Sequence, residues 1–347
     1  MIMKAAVLKG AQQIRVEEKT IPEIGAGEAL IKIERAGICG TDLHAYKDGL
    51  LFEAGTVMGH EPVGTVEKVG EGVREIAEGD RVALFSVASC GTCDPCKAGL
   101  DLFCANAFEW TMGHSPSFDG AFAEYVKIPF AEEMLIKLPD HLSFEDAAIA
   151  EPIGTGLRAI RLSKFKPGDS VAVLGAGPIG LMLIQLLKIS GARKIICSEV
   201  SPYRSEMAKK MGADIVLNPI EEENLPEKMA ALTGGLGPDV VFECSGVPSA
   251  FRQAFQIVRP AGQIMVVGVI EQDTPIAPID IILKEINLQG SLGCTKEEME
   301  MVIDLLAEKR FDTNQLVSDT ISLTDIEEKG FKRLLSSSEI IKILVKP

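Results

Sequence analysis

The stretch SVAVLGAGPIG, residues 170–180, decides the fold of the second half of the chain. It opens with an apolar run, as expected for a strand that is covered on both faces of a parallel sheet. Gly175, Gly177 and Gly180 follow in the form G-x-G-x-x-G, and the apolar residues after them predict a helix over 178–190. A strand, a glycine-rich turn and a helix in this order indicate a dinucleotide-binding loop.

Each position of this loop has a physical role. Gly175 permits the tight turn, Gly177 permits close approach of a pyrophosphate, and Gly180 permits close packing of helix and strand. Pro178 and Ile179 belong to the first helical turn, where a missing N–H costs nothing and the free N–H groups face the phosphates.

Glu199 follows the next predicted strand and is placed to accept hydrogen bonds from the ribose hydroxyls of the adenosine. A carboxylate there repels a 2′-phosphate, so it favours NAD over NADP. Arg204 leaves the alternative open, because a nearby guanidinium can accommodate that phosphate.

Alternating strands and helices continue beyond this loop, with strands expected at 194–198, 214–217, 239–242 and 263–267. This alternation predicts a doubly wound parallel sheet. The first 150 residues differ, because the short segment 65–69 is bounded by Gly64 and Gly70 and the segment 81–85 follows the turn pair Gly79-Asp80, which indicates a small antiparallel barrel or sandwich. A terminal strand at 340–345 needs partners, and the β-rich part could supply them. The chain is therefore predicted to be a two-domain α/β protein.

Composition excludes several functions. The 347 residues carry 50 acidic against 35 basic side chains, a formal charge of −15, which argues against nucleic acid or an anionic membrane as partner. Residues 170–187 lack charges, but the glycines within them favour a strand and a helix over a membrane span. No signal peptide is recognisable, so a cytoplasmic location is expected.

Four cysteines lie close together in a C-x2-C-x2-C-x7-C pattern: Cys90, Cys93, Cys96 and Cys104. Four thiolates at such spacing can surround a zinc ion with no open position, which indicates a structural site. An iron–sulfur cluster and a set of unliganded thiols are the alternatives.

Cys39, His60 and Glu61 offer a thiolate, an imidazole and a carboxylate, the three ligand types of a catalytic zinc with one exchangeable position. The two anionic ligands balance the charge of the ion, which suits polarisation of a bound alcohol. Glu61 and Glu151 are each followed by proline, which predicts extended backbone at both.

The motifs that surround these residues resemble the zinc-containing medium-chain dehydrogenase/reductase (alcohol dehydrogenase) family, and most of all its sorbitol/polyol, butanediol and threonine dehydrogenases. The resemblance covers essentially the whole chain and rests on the segments at 37–44, 59–61, 90–104, 151–152 and 175–180. It implies a GroES-like catalytic domain at 1–152 with a structural-zinc lobe at 88–106, a Rossmann domain at 153–294, and a return to the catalytic domain at 295–347.

The resemblance also implies roles for individual residues. Cys39, His60 and Glu61 would hold the catalytic zinc, and Glu151 would touch the zinc-bound water or replace a ligand. Thr41 and His44 would relay the proton of the alcohol to solvent. The expected reaction is hydride transfer from a secondary alcohol or polyol to NAD, in a homo-oligomer, either tetramer or dimer.

The sequence leaves the substrate unassigned and two alternative functions open. The segment 108–118, with Glu109, Trp110 and His114, matches no substrate signature. One alternative function is a zinc-free quinone or enoyl reductase of the same architecture, against which the ligand set argues. Another is a non-enzymatic NAD-binding protein whose zinc ions are structural only.

Overall fold

The computed structural model describes residues 1–49 and 51–347. Within them the chain forms two compact units. The first unit joins Met1–Glu151 to Thr295–Pro347, and the second is Pro152–Cys294.

The strands have three to nine residues, and the predicted strand at 65–69 forms the end of a nine-residue strand. In chain order they are β1 Ile2–Gly10, β2 Gln13–Thr20, β3 Ala29–Gly37, β4 Glu61–Val69, β5 Arg81–Leu84, β6 Tyr125–Ile128, β7 Leu135–Lys137, β8 Ser170–Leu174, β9 Lys194–Ser198, β10 Ile215–Leu217, β11 Val240–Glu243, β12 Gln263–Val266, β13 Asn287–Gly290, β14 Val317–Ser322 and β15 Lys342–Lys346.

The longer helices lie mostly in the second unit and around its ends. In chain order the helices are α1 Gly40–Asp48, α2 Asp94–Lys97, α3 Ala131–Met134, α4 Phe144–Ala147, α5 Ala150–Leu162, α6 Pro178–Ile189, α7 Pro202–Met211, α8 Leu225–Leu232, α9 Pro248–Ile257, α10 Pro278–Lys284, α11 Lys296–Ala307 and α12 Lys332–Ser336, with single-turn or irregular helices at Asp101–Phe103, Leu323–Asp325 and Ile326–Phe331.

The first unit is built on a seven-stranded sheet in the order β14-β15-β3-β4-β5-β7, with β6 also paired to β3. All of its pairings are antiparallel except that of β14 with β15. The terminal strand β15 does find its partner in the β-rich part, because Leu344 lies opposite Gly37 of β3. This pairing brings the end of the chain beside the first metal-ligand motif.

The second unit contains a parallel six-stranded sheet in the order β10-β9-β8-β11-β12-β13. Every residue of β8 is buried, as its apolar run predicts. After β8 the chain adds β9 and β10 toward one edge of the sheet. It then returns to pair β11 with β8 and adds β12 and β13 toward the other edge. The glycine loop after β8 therefore lies at the point where strand order reverses, where open α/β sheets bind their ligands.

One backbone prediction is wrong. Glu61 is extended at the start of β4, but Glu151 lies in the first turn of α5. Pro152 lies in the first turn of that helix. Backbone N–H groups in the first turn have no acceptor within the helix, so the helix tolerates a proline there.

The charge-free segment at 170–187 is divided between β8 and α6. None of the described helices has both the length and the apolar character required to cross a membrane.

Candidate metal centres and nucleotide-binding loop

The first centre is assembled by the pairing of β3 with β4. Gly37 lies opposite Glu61 in this pairing, so Cys39 at the start of α1 meets His60 and Glu61. One ligand atom from each of the three side chains lies within 4.8 Å of the others. The structure thus brings together the three residues that the sequence singles out as ligands of a catalytic zinc.

This cluster fits a metal ion. His60 and Glu61 are 6% and 1% exposed, and Glu61 Oε1 has no hydrogen-bond partner among the described residues. A buried carboxylate oxygen without a partner carries a large desolvation cost. Coordination of a cation by a thiolate, an imidazole and this carboxylate would remove that cost, and the donor set is one that zinc accepts.

Asp42 is a member of the centre that the sequence reasoning missed. It is fully buried, its Oδ1 lies 3.5 Å from His60 Nδ1, and its Oδ2 accepts a hydrogen bond of 2.9 Å from the backbone N–H of Cys39. Burial lowers the pKa of His60, but the negative charges of Asp42 and Cys39 outweigh it and hold that pKa well above its usual range. The carboxylate of Asp42 thus lies against the side of the His60 ring that carries Nδ1.

Lys342 of β15 is the second missed member. Its Nζ forms an ion pair with Glu61 Oε2, and both side chains are buried, 3% and 0% exposed. Gly37 makes room for this pair, because a Cβ there would overlap Glu61 Oε2 and lie 2.9 Å from Lys342 Cε. Lys342 and Asp42 carry opposite charges that sum to zero. The net charge of a zinc ion with its two anionic ligands would therefore remain zero when these two neighbours are included.

Thr41 and His44 lie on α1, three residues apart and hence on one face of that helix. Thr41 Oγ1 is 3.7 Å from Cys39 Sγ, and His44 is half-buried. The structure brings Thr41 directly to the centre.

Glu151 is not among the side chains whose ligand atoms converge within 4.8 Å. It nevertheless lies within electrostatic reach of them. Burial and then the negative charge of Glu61 raise its pKa to about 7, while His60 and Lys342 oppose this.

The second centre consists of Cys90, Cys93, Cys96 and Cys104, none of which forms a disulfide. Cys93 Sγ lies 3.3 Å from Cys96 Sγ and 4.0 Å from Cys104 Sγ, and Cys90 Sγ lies 3.9 Å from Cys96 Sγ. Sulfur atoms at the corners of a tetrahedron around zinc, each about 2.3 Å from it, are about 3.8 Å apart. The cluster therefore has the dimensions of a closed zinc site.

Backbone groups prepare this cluster for thiolates. The N–H groups of Cys93 and Ala105 donate to Cys90 Sγ at 3.3 Å and to Cys93 Sγ at 3.5 Å. Hydrogen bonds from Thr92 and from Cys93 lower the pKa of Cys90 to about 5. The thiolate, which is the form that binds metal, is thereby stabilised at Cys90, whereas burial raises the pKa of Cys96 to about 12.

In the second unit, the glycine loop has the close contacts that its sequence predicts. Gly175 has a φ of +96°, and a Cβ there would lie 2.8 Å from the Ser245 side chain. A Cβ at Gly180 would overlap the carbonyl oxygen of Gly175, which shows how tightly α6 packs on the loop. Gly177, by contrast, faces open space, and Pro178 and Ile179 begin α6 beside it. The backbone at Gly177 thus leaves room for a phosphate.

Glu199 directly follows β9 and is fixed by the backbone. Its Oε2 accepts from the N–H of Ala176 at 2.7 Å, and its Oε1 accepts from those of Val200 and Ser201 at 2.8 Å each. Glu199 is therefore tied to the glycine loop itself. Arg204 lies in the first turn of α7, and its Nε is buried without a hydrogen-bond partner in the described part of the chain.

His114 is the third functional candidate that the sequence did not assign. Its ring stacks on Phe52 with centroids 4.6 Å apart and meets the His60 ring edge-on at 5.2 Å. Burial, and then the charge of His60, lower the pKa of His114 to about 3. The segment 108–118, which matches no substrate signature, was the part of the sequence that could have pointed to His114.

Comparison with known proteins gives matches in both units. Residues 25–140 match the alcohol dehydrogenase GroES-like domain, and residues 178–308 match the zinc-binding dehydrogenase domain. The chain is 38% identical to (R,R)-butanediol dehydrogenase of Bacillus subtilis over 99% of this chain and 100% of that one. It is 35% identical to sorbitol dehydrogenase of the same organism, over 99% and 97%.

The solved structures agree. A protein of Sinorhizobium meliloti 1021 described as a zinc-binding dehydrogenase, in complex with NADP, superposes with a TM-score of 0.92 and is 31% identical over the whole of both chains. The predicted class, a GroES-like domain with a Rossmann domain, is confirmed by these matches and by the two sheets.

Proposed function

The chain belongs to the zinc-dependent medium-chain alcohol dehydrogenase family, and on that premise we propose that it oxidises a secondary alcohol or polyol to the ketone with NAD. It is an oxidoreductase that uses zinc and a nicotinamide cofactor. The observation that carries the proposal is the convergence of Cys39, His60 and Glu61 in a chain that also has the glycine loop. Butanediol and sorbitol, named in the two relatives, are both polyols.

We assign Cys39, His60 and Glu61 as the residues that hold the catalytic zinc, which when bound supplies a Lewis acid to the substrate oxygen. Asp42 orients His60, because it lies beside Nδ1 and is itself fixed by the backbone of Cys39. The four clustered cysteines would hold a second zinc with a structural role, and their sulfur spacing supports this.

Proton movement is assigned to Thr41 and His44. Thr41 Oγ1 would accept the proton of the substrate hydroxyl while giving up its own through the nicotinamide ribose, and His44 would receive that proton and release it to solvent. Glu151 would lie beside the bound ion and replace a ligand only transiently, because its carboxylate lies outside the converging set.

NAD is the hydride acceptor in this proposal, and residues 153–294 would bind it. Gly175, Gly177 and Gly180 shape the turn, and Glu199 supports the preference for NAD over NADP. Arg204, whose Nε has no hydrogen-bond partner in the described part of the chain, favours the opposite choice.

The proposal extends to a homo-oligomer, either dimer or tetramer, in the cytoplasm. Neither nucleic acid nor a membrane is a partner in it, in keeping with the charge of −15. Sedimentation of the purified protein tests the assembly, and a monomer would contradict it.

The decisive test is a spectrophotometric screen of NAD and NADP reduction with diols, polyols, hydroxy amino acids and simple alcohols. Oxidation of secondary alcohols that Cys39→Ala abolishes, but that Cys294→Ala at a cysteine outside both clusters retains, would support the assignment. Reduction of a quinone or an activated alkene that survives Cys39→Ala would favour the zinc-free reductase. Nicotinamide binding without any turnover would favour a non-enzymatic protein.

A further inference from the structure

His114 is held against the first metal centre by the backbone beneath it. The turn that carries it packs on Met58 and Gly59, the residues directly before His60. A Cβ at Gly113 would lie 2.9 Å from the backbone of Gly59, and one at Gly120 would lie 2.5 Å from that of Met58. The loop and the ligand segment are thus fixed to each other, and the His114 ring keeps its place beside His60.

The polar edge of this ring has no partner. His114 Nε2 is buried, and it has no hydrogen bond to any described residue. Buried side-chain nitrogen atoms almost always have a hydrogen-bond partner, because leaving one unpaired costs free energy. The neighbouring Phe52 and Phe108 rings cannot supply one, with centroids 4.6 and 5.8 Å from the His114 ring.

We infer that His114 is a specificity-determining residue whose Nε2 hydrogen-bonds a second hydroxyl of the substrate. This inference rests on the proposed function, which places the reacting hydroxyl at Cys39, His60 and Glu61. The ring centroids of His114 and His60 lie 5.2 Å apart, and this short distance favours a second hydroxyl on a carbon close to the reacting one. A vicinal diol unit has this geometry.

The surroundings of His114 suit a hydroxyl group on a short carbon chain. The ring contacts the aromatic side chains of Phe52 and Phe108. An imidazole nitrogen can donate to or accept from a hydroxyl. Phe52 and Phe108 offer apolar surface to the carbon chain of the same substrate.

The test compares butane-2,3-diol with butan-2-ol, which lacks the second hydroxyl. His114→Phe keeps the stacked ring and removes the nitrogen, whereas His114→Gln keeps a polar group near the position of Nε2. His141→Phe is the matched control, since His141 is exposed and lies 3.1 Å from the carbonyl oxygen of Ala307. Zinc content and thermal unfolding of each variant establish that the fold and the metal are retained.

Two readouts are taken, kcat/KM with NAD and the calorimetric dissociation constant of each alcohol for the zinc-loaded enzyme with NADH, where no turnover occurs. We expect His114→Phe to weaken diol binding and to lower kcat/KM for the diol about tenfold more than kcat/KM for the mono-alcohol, which is the loss of one hydrogen bond. His114→Gln should recover a large part of the diol binding and of the kcat/KM for the diol that His114→Phe loses.

Equal losses for both alcohols, or no loss for either, would overturn the inference. A wild-type enzyme that oxidises neither alcohol would refute the proposed function instead. The calorimetric preference for the diol and its dependence on His114 would still decide the inference in that case.

Discussion

Replacement of Lys342 by Met tests the electrostatic design of the first metal centre. Lys342 and Glu61 form an ion pair whose side chains are 3% and 0% exposed. Removal of one partner from such a buried pair leaves the other charge uncompensated and typically costs about 3–5 kcal/mol. We therefore expect Lys342→Met to lower the free energy of unfolding of the zinc-free protein by about 3–5 kcal/mol.

Bound zinc should reduce the loss of unfolding free energy that Lys342→Met causes. With zinc present, the carboxylate of Glu61 has a second cation to compensate it, so the loss caused by Lys342→Met should be smaller than in the zinc-free protein. By linkage, the variant should gain more stability from zinc than the wild type gains. Denaturant unfolding with and without zinc measures both quantities.

Two further variants make the test specific. Lys342→Met combined with Glu61→Gln should regain most of the lost stability, because the uncompensated charge is gone. Lys127→Met breaks an ion pair with Glu28 whose side chains are 40% and 22% exposed, and should cost at most about 1 kcal/mol. The reasoning fails if Lys342→Met costs no more than this control, or if Glu61→Gln restores nothing.

Four other predictions follow from the site. Elemental analysis should find about two zinc ions per chain, and about one in Cys96→Ser, with iron as the contradicting result. Glu199→Ala should weaken NAD binding and raise relative use of NADP in kcat/KM; a wild type that already prefers NADP would refute the assignment. The pKa of Glu151 is raised to about 7 in the folded state, so its contribution to stability is present at low pH and is lost between about pH 4.5 and 7. Glu151→Gln should flatten that decline in the unfolding free energy of the zinc-free protein. Gly37→Ala should displace the carboxylate of Glu61 and weaken zinc retention against a chelator, whereas Gly40→Ala, which faces open space, should not.

Local sequence determined those features that depend on near neighbours. Cys90 to Cys104 form one cluster because their short spacings need only a few turns to converge. The glycine loop was predictable for a related reason: positive φ at Gly175 and close packing at Gly180 are demands that glycine alone meets. The apolar run of β8 and its alternation with helices then sufficed for the parallel sheet.

Tertiary structure decided the parts that depend on distant segments. Lys342 reaches Glu61 only because β15 pairs with β3, and its position within an apolar terminal strand was the one sequence signal of a buried charge. His114 reaches His60 because two glycines of its turn pack on residues 58–59. No local pattern encodes such contacts, since each depends on strand pairing or close packing between segments far apart in the chain. Glu151 is a further example. Pro152 locally favours extended backbone at Glu151, but in the folded chain Glu151 lies in the first turn of a helix.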